Sequence, residues 1–298
     1  MSAPVLFDVP GPKARARIRV GTVIGALLVL ALIAFVLVRL NGNGQLDPAR
    51  WAVLFDPNAG VPQALGSALV LTLRVAAVAM VTSTVLGVLL AVGRLSDHRW
   101  VRIPVTTLIE FFRAIPLLVV IFALYFVLPG FGISLSAFAA LVGGLTLYNM
   151  AVLAEIFRAG ILSVDKGQRE AAFALGMSKT QVMTQVLLPQ AVRRMLPVLI
   201  AQIVVLLKDT SLGFIIGLFE LLRQARSLVE FFNSQFGNIY TFQLYVAAGL
   251  IYILINVLIS QIAKFVERRT RSDARMAKAD APALREDTPL VTGRTPGV

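Results

Sequence analysis

Six stretches of the chain are almost continuously apolar: residues 20–38, 65–93, 104–128, 137–162, 194–219 and 242–265. Each approaches or exceeds the roughly 18–20 residues that a helix needs to cross a hydrocarbon core of about 30 Å. The polar segments between them are short or unstructured in pattern, with one exception at 163–193. The pattern predicts an all-α polytopic membrane protein with six transmembrane helices.

Composition agrees with that solvent. The 298 residues are 57% hydrophobic, above the 45–50% usual in soluble domains, and the mean hydropathy is +0.81. There is no cysteine, which excludes a disulfide framework, a thiolate metal site and a thiol nucleophile. His98 is the single histidine and leaves little room for zinc chemistry.

The net charge of +12 changes the picture only once its distribution is considered. Alternate flanks of the apolar runs hold 21 of the 28 Lys and Arg residues, and the other three loops hold only Arg50, Arg223 and Arg226. This asymmetry is the positive-inside pattern, which places both termini in the cytoplasm. The basic excess is therefore read as topology, and no nucleic-acid partner is expected.

Four regions follow. Residues 1–19 form a cytoplasmic tail, and 20–62 hold the first helix and an outer loop. Without a small-residue cleavage site, that helix is expected to be retained rather than removed as a signal peptide. Residues 63–265 form the membrane core, and 266–298, rich in charge, Pro and Gly, are expected to be disordered.

The segment 163–193 is organised for a loop. Asp165 with Gln168 has the form of a helix N-cap with a reciprocal partner. Lys166–Leu175 is rich in helix formers, and Gly176 stands where a left-handed residue would end the helix. Ser178 with Gln181 repeats the capping pattern and starts a second helix, which meets Pro189. Ala171 and Ala172 would let a partner surface approach closely, and exposed Arg169 and Glu170 would set its register by charge.

The run from Glu170 to Pro189, "EAAFALGMSKTQVMTQVLLP", resembles the E-A-A-x3-G-x9-I-x-L-P signature of ABC-importer permease subunits, with Val186 in place of Ile. In addition, "IEFFRAIPLL", "AEIFRAGILSVDKGQREAA" and "LLKDTSLG" resemble segments of the polar amino-acid branch of that family. The likeness covers about 63–265, a five-helix permease core to which the first helix is an addition. The termini resemble actinobacterial glutamate-uptake permeases. The resemblance implies a coupling helix, with Arg169, Glu170, Ala171, Ala172, Gly176 and Pro189 at the docking loop for a dimer of separate ATPase subunits. It also implies a second permease subunit, the same chain or a homologue, and an extracytoplasmic amino-acid-binding protein that delivers the substrate at a bacterial plasma membrane. No phosphate-binding G-x-x-x-x-G-K-[ST] occurs in the sequence. ATP and magnesium are therefore expected on the partner, with no cofactor on this chain and no catalysis by it.

Charged and polar residues near the apolar runs supply the candidate pathway. Arg74 is placed to snorkel to the outer headgroups. Glu110 and Arg113, spaced i,i+3, either form part of a cytoplasmic gate or simply orient the helix, and Pro116 just beyond removes an intrahelical bond and is expected to kink the span. Glu155 and Arg158 repeat that spacing. Asn149 lies about 9 Å inside the edge set by Glu155, as interhelical glue or a substrate ligand. Lys208 and Asp209 fall near the middle of the fifth run, with partners on other spans, in a second copy, in water or in the cargo. Thr210 and Ser211 extend that patch, and Gly213 with Gly217 offers a small-residue packing face. The residues leave open a pathway lining or a purely structural network. Outside the importer class stand an ion-coupled secondary transporter and an intramembrane enzyme using Asp209. Within that class, glutamate competes with glutamine, arginine and histidine.

Overall fold

The computed structural model describes residues 11–237 and 239–279, without the side chains of 263 and 266–279. Every regular element among them is helical. The helices are α1 (Pro12–Gly42), α2 (Pro48–Ala52), α3 (Val61–Arg94), α4 (Arg99–Ala114), α5 (Leu117–Phe122) and α6 (Ala137–Leu162). They continue with α7 (Lys166–Ala174), α8 (Lys179–Gln181), α9 (Leu188–Asp209), α10 (Leu221–Phe236) and α11 (Thr241–Ala279). Five helical stretches are long and apolar enough to cross a membrane, or six if α4 and the segment that follows it count as one.

The contacts divide the chain into two units. One holds residues 1–67 and 224–249. In it, α1 buries no residue. Over residues 20–38 it is apolar all round and uncovered by the described residues, a surface that is stable in lipid. Elsewhere in this unit, Trp51 donates its indole N–H to the Gln45 carbonyl at 2.9 Å and meets the Phe242 ring edge-on. Fully buried Gln243 donates to the same carbonyl, also at 2.9 Å.

The other unit, 68–223 and 250–298, is built around α6. Of the apolar window of α6, 56% is buried, against 28% or less in each of the other spans. Lipid tails are as apolar as leucine, so helices in a bilayer associate through close van der Waals packing rather than escape from water. Small residues provide it here. A Cβ at Gly87 of α3 would lie 2.9 Å from Leu153 Cβ and 3.1 Å from the Met150 carbonyl oxygen on α6. A Cβ at Gly144 would lie 2.5 Å from Ile121 of α5. Two clusters form along α6. One joins Ile109, Leu153, Phe157, Ala172 and Met195; the other joins Val75, Ile121, Leu141, Leu206 and Ile216.

Some expectations are sharpened and others corrected. The third run does bend at Pro116, and steeply: α4 and 117–131 meet at 99°. Pro116 lacks an N–H and forces Ile115 into an extended conformation (φ −90°, ψ 132°). The second helix of the loop leads back through Pro189 into the fifth run. The chain stays helical from Lys179 to Phe214, because the proline falls in the first turn of α9 behind a π-helical turn at Val182–Leu187. The segment after the fifth run is not a bare loop. It contains α10, whose buried Leu221, Ala225, Leu228, Val229 and Phe232 recur at helical spacing. Finally, α11 runs to Ala279, into the tail expected to be disordered. Residues 267–279 lack Gly and Pro and are rich in Arg, Ala, Lys and Met, so helix propensity is enough to extend it. The rest of the tail, 280–298, lies outside the described residues, as do residues 1–10 of the N-terminal one.

Gly87→Leu is expected to lower stability by about 1–3 kcal/mol through overpacking against backbone that cannot retreat. Gly249→Ala, with nothing within 4 Å of the new Cβ, is expected to leave stability unchanged or raised. Thermal unfolding of the purified chain in detergent distinguishes the two outcomes.

Candidate functional site

The loop after α6 is capped at both of its helices. The Asp165 carboxylate accepts from the Gly167 amide at 2.7 Å and opens α7. The reciprocal half expected of Gln168 is absent: its side-chain oxygen instead accepts from Gln190 at 3.3 Å. Gly176 ends the helix at φ +80°, with the Gly176 amide bonded to the Phe173 carbonyl and the Met177 amide to the Ala172 carbonyl. This pair of bonds is a Schellman closure, and its left-handed residue is one that glycine adopts without strain. Ser178 and Gln181 then form a complete capping box, as their spacing predicts.

Burial separates the candidate docking residues. Arg169, Glu170, Ala171, Gly176 and Pro189 are exposed, as are Phe173 and Leu175, the latter at 83%. Ala172 is not: it is 4% exposed and packs in the core cluster of α4, α6 and α9. Its small size serves the protein's own packing, and the free surface of α7 lies on the other side. Lys179 pairs with Asp97 at 2.7 Å, tying the loop to the turn between α3 and α4. The Lys179 ammonium holds the Asp97 carboxyl below the ordinary carboxylate range, with His98 and Arg102 adding smaller contributions in the same direction. Arg194 of α9 donates to the Ser163 carbonyl at the end of α6.

Glu110 and Arg113 do pair, at 3.4 Å, and Glu155 pairs with Arg158 at 3.1 Å. Sequence reasoning missed what joins the two pairs. Arg94, at the end of α3, reaches Glu155 at 2.6 Å and Glu110 at 3.0 Å. One largely buried guanidinium thus fastens α3 to α4 and α6, using the forked geometry that lysine lacks. Glu110 and Arg113 belong to that clasp.

The other candidates do not converge on one point. Asn149 is fully buried; it donates to the Leu145 carbonyl at 2.8 Å and accepts from Gln202 of α9 at 2.7 Å. The bond links α6 to α9. Lys208 and Asp209 lie in the last turn of α9. The helix starts earlier than the apolar run suggests and gives way to a 3-10 turn at Thr210–Phe214. Lys208 is exposed, Asp209 partly so, and neither forms an ion pair among the described residues. Thr210 and Ser211 turn their hydroxyls onto the Leu207 and Lys208 carbonyls at 2.7 and 2.8 Å. The two glycines do not form a packing stripe: Gly213 abuts Leu141, whereas Gly217 makes a turn at φ +79°.

That turn delivers a second group the sequence did not disclose. Glu220 is fully buried, and its carboxylate accepts from the Leu222 and Arg223 amides, both at 2.9 Å, capping α10. Tyr252 of α11 donates to it at 2.7 Å, and the Leu221 amide donates to Thr72 of α3 at 3.1 Å. The signal available was a carboxylate immediately ahead of an amphipathic repeat, which is an N-cap pattern. No group of three His, Asp or Glu residues among the described residues could hold a metal ion.

The model of the family "binding-protein-dependent transport system inner membrane component" matches residues 83–272. The glutamate transport system permease protein GluD of Corynebacterium glutamicum is 41% identical over 239 residues, spanning 78% of this chain and 84% of its own length. A Bacillus subtilis permease, GlnP, whose name attaches it to glutamine, is 39% identical over 66% of this chain and 89% of its own. The crystal structure of an amino acid ABC transporter with histidines superposes with a TM-score of 0.64 at 32% identity, covering 70% of this chain and 94% of that one.

The Asn149–Gln202 bond gives a direct test of the interhelical role. A double-mutant cycle with Asn149→Ala and Gln202→Ala, read by unfolding in detergent, is expected to return a coupling energy of about 0.6–1.7 kcal/mol. A value of zero would remove the bond as a link between α6 and α9.

Proposed function

Because the chain belongs to the family of binding-protein-dependent transport system inner membrane components, multi-pass permease subunits of ABC importers for polar amino acids, we propose that its cargo is glutamate. The observation that carries the coupling half of this reading is the rigidly capped α7, which exposes Arg169, Glu170, Ala171 and Phe173 beside the docking signature. The likeness to GluD supports glutamate. The likeness to GlnP favours glutamine as the second reading.

In this proposal the termini and α7 face the cytoplasm, consistent with the charge distribution. The segment 117–131, into which α4 leads across the bend, counts as the sixth crossing. An ATPase dimer, carrying ATP and magnesium, docks on α7 and on the α7 of a second permease subunit, identical or homologous. A binding protein presents the amino acid on the opposite side. Movement of α7 reaches the spans through Lys179–Asp97, Arg194–Ser163 and the packing of Ala172. Lys208 is exposed, with no ion pair to another helix among the described residues, which suits it to an anionic cargo at the end of α9.

ATP-dependent uptake into proteoliposomes holding the assembled complex, run with a panel of labelled amino acids, tests cargo and class together. Glutamate is expected to accumulate and to be competed only by a similar acidic amino acid. Accumulation of glutamine without glutamate overturns the assignment. Glu170→Lys and Gly176→Asp are each expected to cut uptake by more than about tenfold, equivalent to about 1.4 kcal/mol of lost coupling, with normal membrane levels. Wild-type uptake in both would remove α7 as the docking element.

A further inference from the structure

The helix α4 divides into three arcs. Val105, Ile109 and Phe112 face the protein, and Ile109 is fully buried. Arg99, Arg102, Glu110 and Arg113 form a charged arc. On a third side Trp100, Ile103, Pro104, Leu108 and Phe111 recur at i, i+3, i+4, i+8 and i+11; Thr107 is the one polar residue among them, its hydroxyl turned onto the Ile103 carbonyl. They make one continuous apolar face, and it is uncovered: Trp100 is 93% exposed, Ile103 61% and Phe111 56%.

The direction and level of α4 decide what covers that face. The helix bends by 99° from 117–131, so it cannot continue the line of that segment. It is anchored at the end of α3, where a Cβ at Gly93 would meet Val105 at 3.0 Å and Arg94 grips Glu110. At that point the long apolar run of α3 gives way to the polar stretch Arg94–Arg99, as at a membrane boundary. Arg99 and Arg102 are exposed and form no ion pair among the described residues. A tryptophan between two free arginines, on a helix with a separate apolar face, matches the interfacial layer of an anionic leaflet.

We propose that α4 lies in the plane of the membrane surface, with Trp100, Ile103 and Phe111 among the upper acyl chains and Arg99 and Arg102 on anionic phospholipid headgroups. Only the assignment to the cytoplasmic leaflet rests on the topology proposed above. A helix so placed would make the position of α4, and through Glu110 and Arg94 the ends of α3 and α6, responsive to the headgroup charge of the surrounding lipid.

The sequence contains two tryptophans, so Trp51→Phe leaves Trp100 as the only indole in the full chain. The protein is reconstituted in vesicles of phosphatidylcholine with a minority of phosphatidylglycerol, one or the other brominated high on its acyl chains. Both are expected to quench Trp100. Per brominated lipid, phosphatidylglycerol is expected to be at least about twofold more effective, because headgroup attraction enriches it. Arg99→Gln with Arg102→Gln is expected to erase that excess while quenching by phosphatidylcholine persists. Absence of quenching by either lipid, the result if water or a second copy covers the face, overturns the proposal. Equal quenching by both removes the anionic specificity and overturns it as well. If the double variant fails to fold, the comparison of lipids in the parent still decides. None of these outcomes bears on the importer reading, which the uptake panel tests separately.

Discussion

In a bilayer, helices gain nothing from hiding apolar surface from water, so the packing of this protein depends on how closely neighbours can approach α6. Glycines at the crossing points meet that constraint. At Gly87 the α3 backbone comes within reach of the Met150 carbonyl, and at Gly144 the α6 backbone receives Ile121. From these contacts follow the two clusters that hold α4, α5, α7 and α9, including Ala172 of the loop. The exposed side of α7 is therefore positioned by the same packing that holds the spans.

Polar groups face a second constraint, since an unpaired donor or acceptor in lipid costs several kcal/mol. Most hydroxyls satisfy it within their own helix. Thr72, Thr210 and Ser211 each donate to a carbonyl three or four residues earlier. Longer side chains reach across: Asn149 to Gln202, and Tyr252 to Glu220. Glu220 is the most committed of these groups, because a single carboxylate caps α10 and holds α11. The backbone irregularities at Pro116 and Val182–Leu187 sit beside prolines, where a missing N–H must be accommodated.

Charge gathers where α3, α4, α6 and the loop meet. Arg94 holds two carboxylates, and Lys179 bonds to Asp97 three residues further on. Two short connections therefore run from the loop and α6 into the end of α3. This arrangement lets displacement of a nine-residue helix reach several spans without a long lever. Packed elements of this kind respond as bodies rather than by continuous deformation.

The amino-acid sequence alone determined the solvent, the helical class, most span positions and the capped loop. Those features rest on local physics: run length against bilayer thickness, and the hydrogen-bond needs of helix ends. Gly176 and the Ser178–Gln181 box were legible because their partners lie within a few residues. Pro116 marked where the third span could bend, but apolar character is insensitive to direction, and only the backbone shows a turn of 99°. The setting of Lys208 and Asp209 in the last turn of α9 was not legible, because the apolar run does not show that α9 begins before Pro189 and ends at Asp209. Tertiary structure alone decided that Ala172 faces inward, that Arg94 joins Glu110 to Glu155, and that Glu220 is buried beneath Tyr252. Each of these depends on which distant helix comes to lie beside it, and no local pattern in the chain encodes that neighbour.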